Sequence, residues 1–219
     1  MRIDSFDDNS QLEFARKLGV QYVYTTVNDN ERNVERLSAI VEQCEKAGAT
    51  LYNVYGSSLT KSHDIHLAGP NRDQRIDEFQ EFLGMLSRVG VGTTTFTWEP
   101  DKVWSTGKSQ SRGSNGRHVD MTELQSRALT HEREYEREEL WDNFAYFMER
   151  IIPVAEETGV SLALHNNDPP TSYKIAGIPC IIHSHEDFRR AFSIADSPRL
   201  GMEFCLGCWL EGGTKFGDI

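Results

Sequence analysis

The chain has 219 residues, 38% apolar and 10% aromatic, which suits one large or two small globular domains and excludes a disordered chain. Its formal charge of −11, from 34 acidic against 23 basic residues, argues against nucleic acid or an anionic membrane as partner and leaves small molecules and metals. No apolar run approaches the roughly 18 residues of a membrane helix, "MRIDSFDDNS" lacks the marks of a signal peptide, and four cysteines are too few for a disulfide scaffold, so a cytoplasmic protein with reduced thiols is expected.

In chain order, short β-rich runs alternate with long amphipathic ones. Residues 20–27 ("VQYVYTTV"), 50–56 ("TLYNVYG"), 91–98 ("VGTTTFTW"), 160–166 ("VSLALHN") and 199–205 ("RLGMEFC") read as strands. Helical patterns cover about 31–47, 72–89, 132–158 and 185–195. Asn30 and Ser184 are candidate N-caps, and Gly48, Gly90 and Gly159 stand where helices should end. The phrase of helix, Gly, strand recurs in "KLGVQYVYT", "KAGATLYNV", "RVGVGTTTF" and "ETGVSLALH", which marks successive βα units of a parallel sheet. No Gly-rich phosphate loop follows the first strand, so a (β/α)8 TIM barrel is expected over a dinucleotide-binding sheet.

A closed barrel needs eight strands and typically about 250 residues. Five strands are legible here, and "GTKFGDI" falls where a sixth unit should begin. Residues 1–219 are therefore expected to form a single, C-terminally truncated barrel domain. In such folds the loops after the strands carry the chemistry. Two are long: residues 99–134, polar and rich in Gly and Ser, and residues 166–184.

His165 ends a strand in which Leu162 and Leu164 face one way and Ser161 and Ala163 the other. A neutral imidazole there suits a metal or an acid/base role, against the plainer reading of a hydrogen-bonded loop histidine. Cys205 ends the strand one unit later and could meet His165 across the barrel mouth as an N/S metal site. Its Cys-x-x-Cys spacing with Cys208 has no second such pair to make a zinc knuckle, Cys180 is solitary, and Cys44 lies on the apolar face of its helix. Glu203, two residues before Cys205, either points into the barrel beside a partner or faces away. Arg112 and Arg117 are candidate cations for an anionic substrate, Trp98 and Trp104 candidate pocket walls, and Asp168 a ligand-orienting or turn-capping carboxylate. His183 and His185 read as flanking a helix start.

The stretches "LWDNFAYFMERIIPVAEETGVSLALHNNDPP", "GIPCIIHSHEDFRRAF" and "MEFCLGCW" together resemble the mannonate dehydratases. Their motif is commonly His-Pro-Asp-Asp-Pro-Pro, then a Gly-Leu-Pro-like turn, then a strand ending in Cys-x-Gly. The resemblance runs through residues 14–213 and is most specific over 140–209. It implies a barrel of the xylose-isomerase type and dehydration of D-mannonate to 2-keto-3-deoxy-D-gluconate with a divalent metal, usually Mn2+, with Fe2+ or another divalent ion as alternatives. His165 and Cys205 match the family's first two metal ligands; Arg112, Trp98 and Asp168 are then assigned to the sugar acid. Asn166 and Asn167 replace the family's Pro and first Asp, which removes a charge beside the metal. The remaining ligands and the acid/base residues are expected beyond Ile219, so residues 1–219 alone are expected to be inactive as a dehydratase. The partner implied is a small sugar acid, with a homo-oligomer admitted. A metal-dependent sugar isomerase or epimerase, or a non-catalytic sugar-binding barrel, is the alternative.

Overall fold

In the computed structural model, which describes residues 1–101, 103–215 and 217, the chain opens with a strand too short to leave a pattern in the sequence. β1 (Arg2–Ile3) pairs in parallel with β2 (Tyr22–Val27), setting Ile3 opposite Thr25. Between them lies α1 (Ser10–Lys17). A 3-10 turn at Asp29–Glu31, capped by Asn28, displaces the next helix, so α2 (Val34–Lys46) is capped by Asn33 rather than Asn30, the Arg36 N–H donating to its side chain at 2.8 Å. β3 (Thr50–Gly56), the single turn α3 (His63–His66), α4 (Arg72–Arg88) and β4 (Thr93–Thr97) follow.

The long segment after β4 is not irregular. It forms an exposed antiparallel hairpin, β5 (Gly107–Ser111) and β6 (Ser114–His118), and a short helix α5 (Met121–Gln125). Then come α6 (Arg137–Thr158), β7 (Ser161–His165), a small hairpin of β8 (Lys174–Ile175) and β9 (Ile178–Pro179), α7 (His185–Ala195), β10 (Leu200–Met202) and α8 (Leu206–Glu211). Gly159 turns α6 into β7 at φ 74°, a left-handed conformation that costs a residue without Cβ little. Ser184 caps α7 in a reciprocal box with Asp187.

The parallel strands form two three-stranded ladders, β1-β2-β3 and β4-β7-β10. Side chains join them: Thr94 Oγ1 donates to the Val54 carbonyl and Asn53 Nδ2 to Thr95 Oγ1, both at 2.7 Å. Six parallel strands thus stand in chain order where the pattern predicts five, an α/β sheet of incomplete TIM-barrel type, with no closed barrel among the described residues. The segment expected to open a further unit lies partly outside the described residues.

Alternation along the strands sets the core. Val23, Val54, Phe96, Leu162 and Leu164 are buried under the helices, and Phe96 meets Phe79 of α4 and Phe147 of α6 at centroid distances of 6.5 and 5.8 Å. Burying each such side chain contributes roughly 1.5–3 kcal/mol. The opposite, concave face carries the polar side chains from which a site can be built.

Candidate active site

Because Leu162 and Leu164 go under the helices, His165 at the C-terminal end of β7 is turned to the concave face. Its Nδ1 lies 2.6 Å from the Asn166 carbonyl. A carbonyl only accepts, so Nδ1 carries the proton and Nε2 keeps its lone pair for a ligand.

β10 lies alongside, Met202 opposite Leu164, and the Glu203 N–H still donates to the Leu164 carbonyl at 2.9 Å. The strand itself stops at Met202, so Cys205 is not a strand end, as the pattern predicts, but the N-cap residue of α8. That first helical turn brings Cys208, three residues on, to the same side. One donor atom each from His165, Cys205 and Cys208 lies within 4.8 Å of the others. An imidazole nitrogen and two sulfurs are donor chemistry that fits a divalent metal. Cys208 is the member that the sequence reading leaves out; its signal was the three-residue spacing, which becomes convergence only because a helix starts at Cys205. Burial, then the charges of Asp168 and Cys205, push the Cys208 thiol well above its ordinary pKa.

The "NNDPP" loop is held from both sides. Asn167 Nδ2 donates to the Trp98 carbonyl at 2.9 Å, its Oδ1 accepts from Ile182 N at 2.8 Å, and its own N–H donates to the Ile182 carbonyl at 2.8 Å. The Asp168 N–H donates to Glu99 Oε1 at 2.9 Å, and Arg117 NH2 donates to the Asp168 carboxylate at 2.6 Å. Glu99 is buried, which raises its pKa, and Lys61 pairs with it. Asp168, Cys208 and Glu211 form a second group of donors sharing Cys208.

The two long loops pack on one another at this end. The Trp104 N–H donates to the Asp168 carbonyl at 3.3 Å and Tyr135 N–H to the Gly177 carbonyl at 3.0 Å, while Leu124 is buried in one cluster with Ile175, Ala176 and Cys180. Of the two candidate arginines, Arg117 on β6 reaches the loop after β7. Arg112 turns the exposed hairpin tip at φ 51°, and no contact between it and these residues is found among the described residues.

Trp98 lies in the core, beside a small cavity that it lines with Trp104, Asn167 and Cys180. It is 1% exposed and packs on Phe144 and His66 at centroid distances of 5.0 and 4.3 Å, because it continues the outward register of Thr94 and Phe96. His183 is tied to Asp187 at 2.9 Å and His185 stacks on Trp209, so both belong to the start of α7. Cys44 is fully buried in the core.

Residues 117–212 match the family model of D-mannonate dehydratase. The mannonate dehydratase of Thermotoga petrophila is 30% identical over 208 residues, covering 80% of this chain and 57% of that protein. By sequence the chain is similar to the mannonate dehydratases. Mannonate dehydratase 2 of Halalkalibacterium halodurans is 27% identical over 91% of this chain and 66% of its own length. The crystal structure of mannonate dehydratase from Streptococcus suis serotype 2 superposes with a TM-score of 0.78 at 25% identity, over 96% of this chain and 64% of that one. D-psicose 3-epimerase from Clostridium cellulolyticum H10 shares the fold, with a TM-score of 0.59 at 12% identity. The chain spans between 57% and 66% of the length of these mannonate dehydratases.

Proposed function

We propose that this chain serves a sugar-acid dehydratase that converts D-mannonate to 2-keto-3-deoxy-D-gluconate and water. One observation carries the reading: His165 and Cys205 converge at the C-terminal end of a parallel sheet in a chain similar to enzymes of that name. The reaction breaks the C2–H and C3–O bonds of the sugar acid, releases water, and leaves an enol that tautomerises to the 2-keto acid.

In this reading His165 and Cys205 hold a divalent cation, manganese or iron. When bound, the cation supplies Lewis acidity that stabilises charge building up beside the substrate carboxylate. The Nδ1–H bond to the Asn166 carbonyl orients the His165 ring. Arg117 takes the carboxylate-binding role for which Arg112 was the first candidate, and Asp168 serves as its counter-ion until substrate arrives. Trp98 acts from the core, by fixing through its carbonyl the Asn167 clamp behind His165. The enzyme is placed in the cytoplasm, where reduced thiols persist. No described helix is long and apolar enough to cross a membrane.

The test is to load a full-length protein, residues 1–219 together with the segment expected to supply the remaining ligands and the acid/base residues, with divalent metal, add D-mannonate and follow 2-keto-3-deoxy-D-gluconate. Wild type should form it, and His165→Ala should lose both bound metal and product. A metal-loaded wild type that leaves D-mannonate unchanged would overturn the proposal.

A further inference from the structure

We infer that Cys208 is a third protein ligand of this centre, making it an imidazole and two-thiolate site that selects a thiophilic divalent cation, of the zinc or iron(II) class, over manganese. The inference rests on the metal-dependent reading above and changes what that site prefers. Three independent features support it.

The first is convergence. The donor atoms of His165, Cys205 and Cys208 come from a strand end and one helical turn and lie within 4.8 Å of one another. Sulfur bonds to such cations are about 2.3 Å and nitrogen bonds about 2.0–2.1 Å, so one ion can sit among all three after small side-chain adjustments.

The second is placement. Cys208 is 3% exposed although its sulfur adjoins the half-buried Cys205 and His165. Its alternative companions are less able to form a centre: Asp168 is already neutralised by Arg117 at 2.6 Å, and Glu211 is exposed.

The third is chemistry. Manganese favours carboxylate, carbonyl and water oxygens, whereas thiolates favour zinc and iron. Each sulfur added to one imidazole therefore moves selectivity away from manganese.

X-ray absorption on the zinc-loaded, unmutated 219-residue chain counts the sulfurs directly, with no variant that must fold. Two sulfurs at about 2.3 Å are expected. In the cobalt-loaded protein, the sulfur-to-cobalt charge-transfer band should fall by about half in either Cys208→Ser or Cys205→Ser. The preference for zinc over manganese in competition should drop on the order of tenfold or more in Cys208→Ser. A single sulfur on zinc, or a cobalt band unchanged in Cys208→Ser, would overturn the inference and leave the two-ligand reading standing. No zinc or cobalt bound at all would overturn both.

Discussion

The hydroxyl of Tyr55, on β3, donates to the carboxylate of Glu203, just past β10, at 2.8 and 2.7 Å from its two oxygens. The residues are 148 apart in sequence, and β4 and β7 separate their strands in the sheet. The contact therefore requires the sheet to curl until its third and sixth strands face each other across the concave interior. It also settles which way Glu203 points: inward, beside a donor. Burial, assisted by the Glu203 carboxylate, raises the Tyr55 pKa far above its ordinary value, so the hydroxyl remains a donor at any working pH.

Removing that donor should loosen the curl. Tyr55→Phe keeps the ring and deletes a hydrogen bond to a charged group, so a loss of about 1.5–3 kcal/mol is expected from the shift in urea midpoint. A change below about 0.5 kcal/mol, the usual scale for a surface substitution, would mean that the pair does not help to hold the sheet.

The two arginines of the β5–β6 hairpin should separate cleanly in binding. Arg117→Ala should weaken D-mannonate binding to the metal-loaded protein by about tenfold or more, the loss of a charge-assisted hydrogen bond. Arg112→Ala, at the exposed hairpin tip, should leave the affinity within about twofold, as expected for a side chain outside the contact. Calorimetric titration of both variants checks this, and the reverse ranking would return the carboxylate to Arg112.

Asn167→Ala should be among the most destabilising changes near the site. It deletes both side-chain bonds of the clamp and leaves the Trp98 carbonyl and the Ile182 N–H buried without partners, at about 1–3 kcal/mol each. Chemical denaturation measures the cost, and a near-neutral result would show that water replaces the clamp. The same geometry uses both ends of the Asn167 amide. An ionised carboxylate could accept from Ile182 but could not donate to Trp98.

His66 makes stability depend on pH. Complete burial lowers its pKa from 6.5 to about 3, so the folded protein holds the ring neutral while the unfolded chain takes up a proton below about 6.5. The unfolded state then binds more protons, and stability must fall as pH drops through the window from 6.5 toward about 3. Between pH 6.5 and about 5, mostly above the carboxylate range, this amounts to about 1–2 kcal/mol. His66→Gln should flatten that part of the curve. A slope as steep in the variant as in wild type would assign the pH dependence to other groups.

The sequence alone determined the βα rhythm, because periods of two and near four, punctuated by glycine, are local consequences of burying one face of each element. The same local logic placed His165 on the concave side and put the two long loops at the strand ends. What only the tertiary structure decided are relations between distant segments. β1 is two residues long and exists by pairing with β2. The partner of Glu203 is brought from β3 by curvature. That Arg117 and not Arg112 meets Asp168 follows from which part of the hairpin faces the loop after β7. Trp98 is sent into the core under α6 by the register of β4. Cys208 enters the cluster because a helix, not a continuing strand, begins at Cys205: in a strand the two side chains would point to opposite faces, whereas one helical turn sets them side by side.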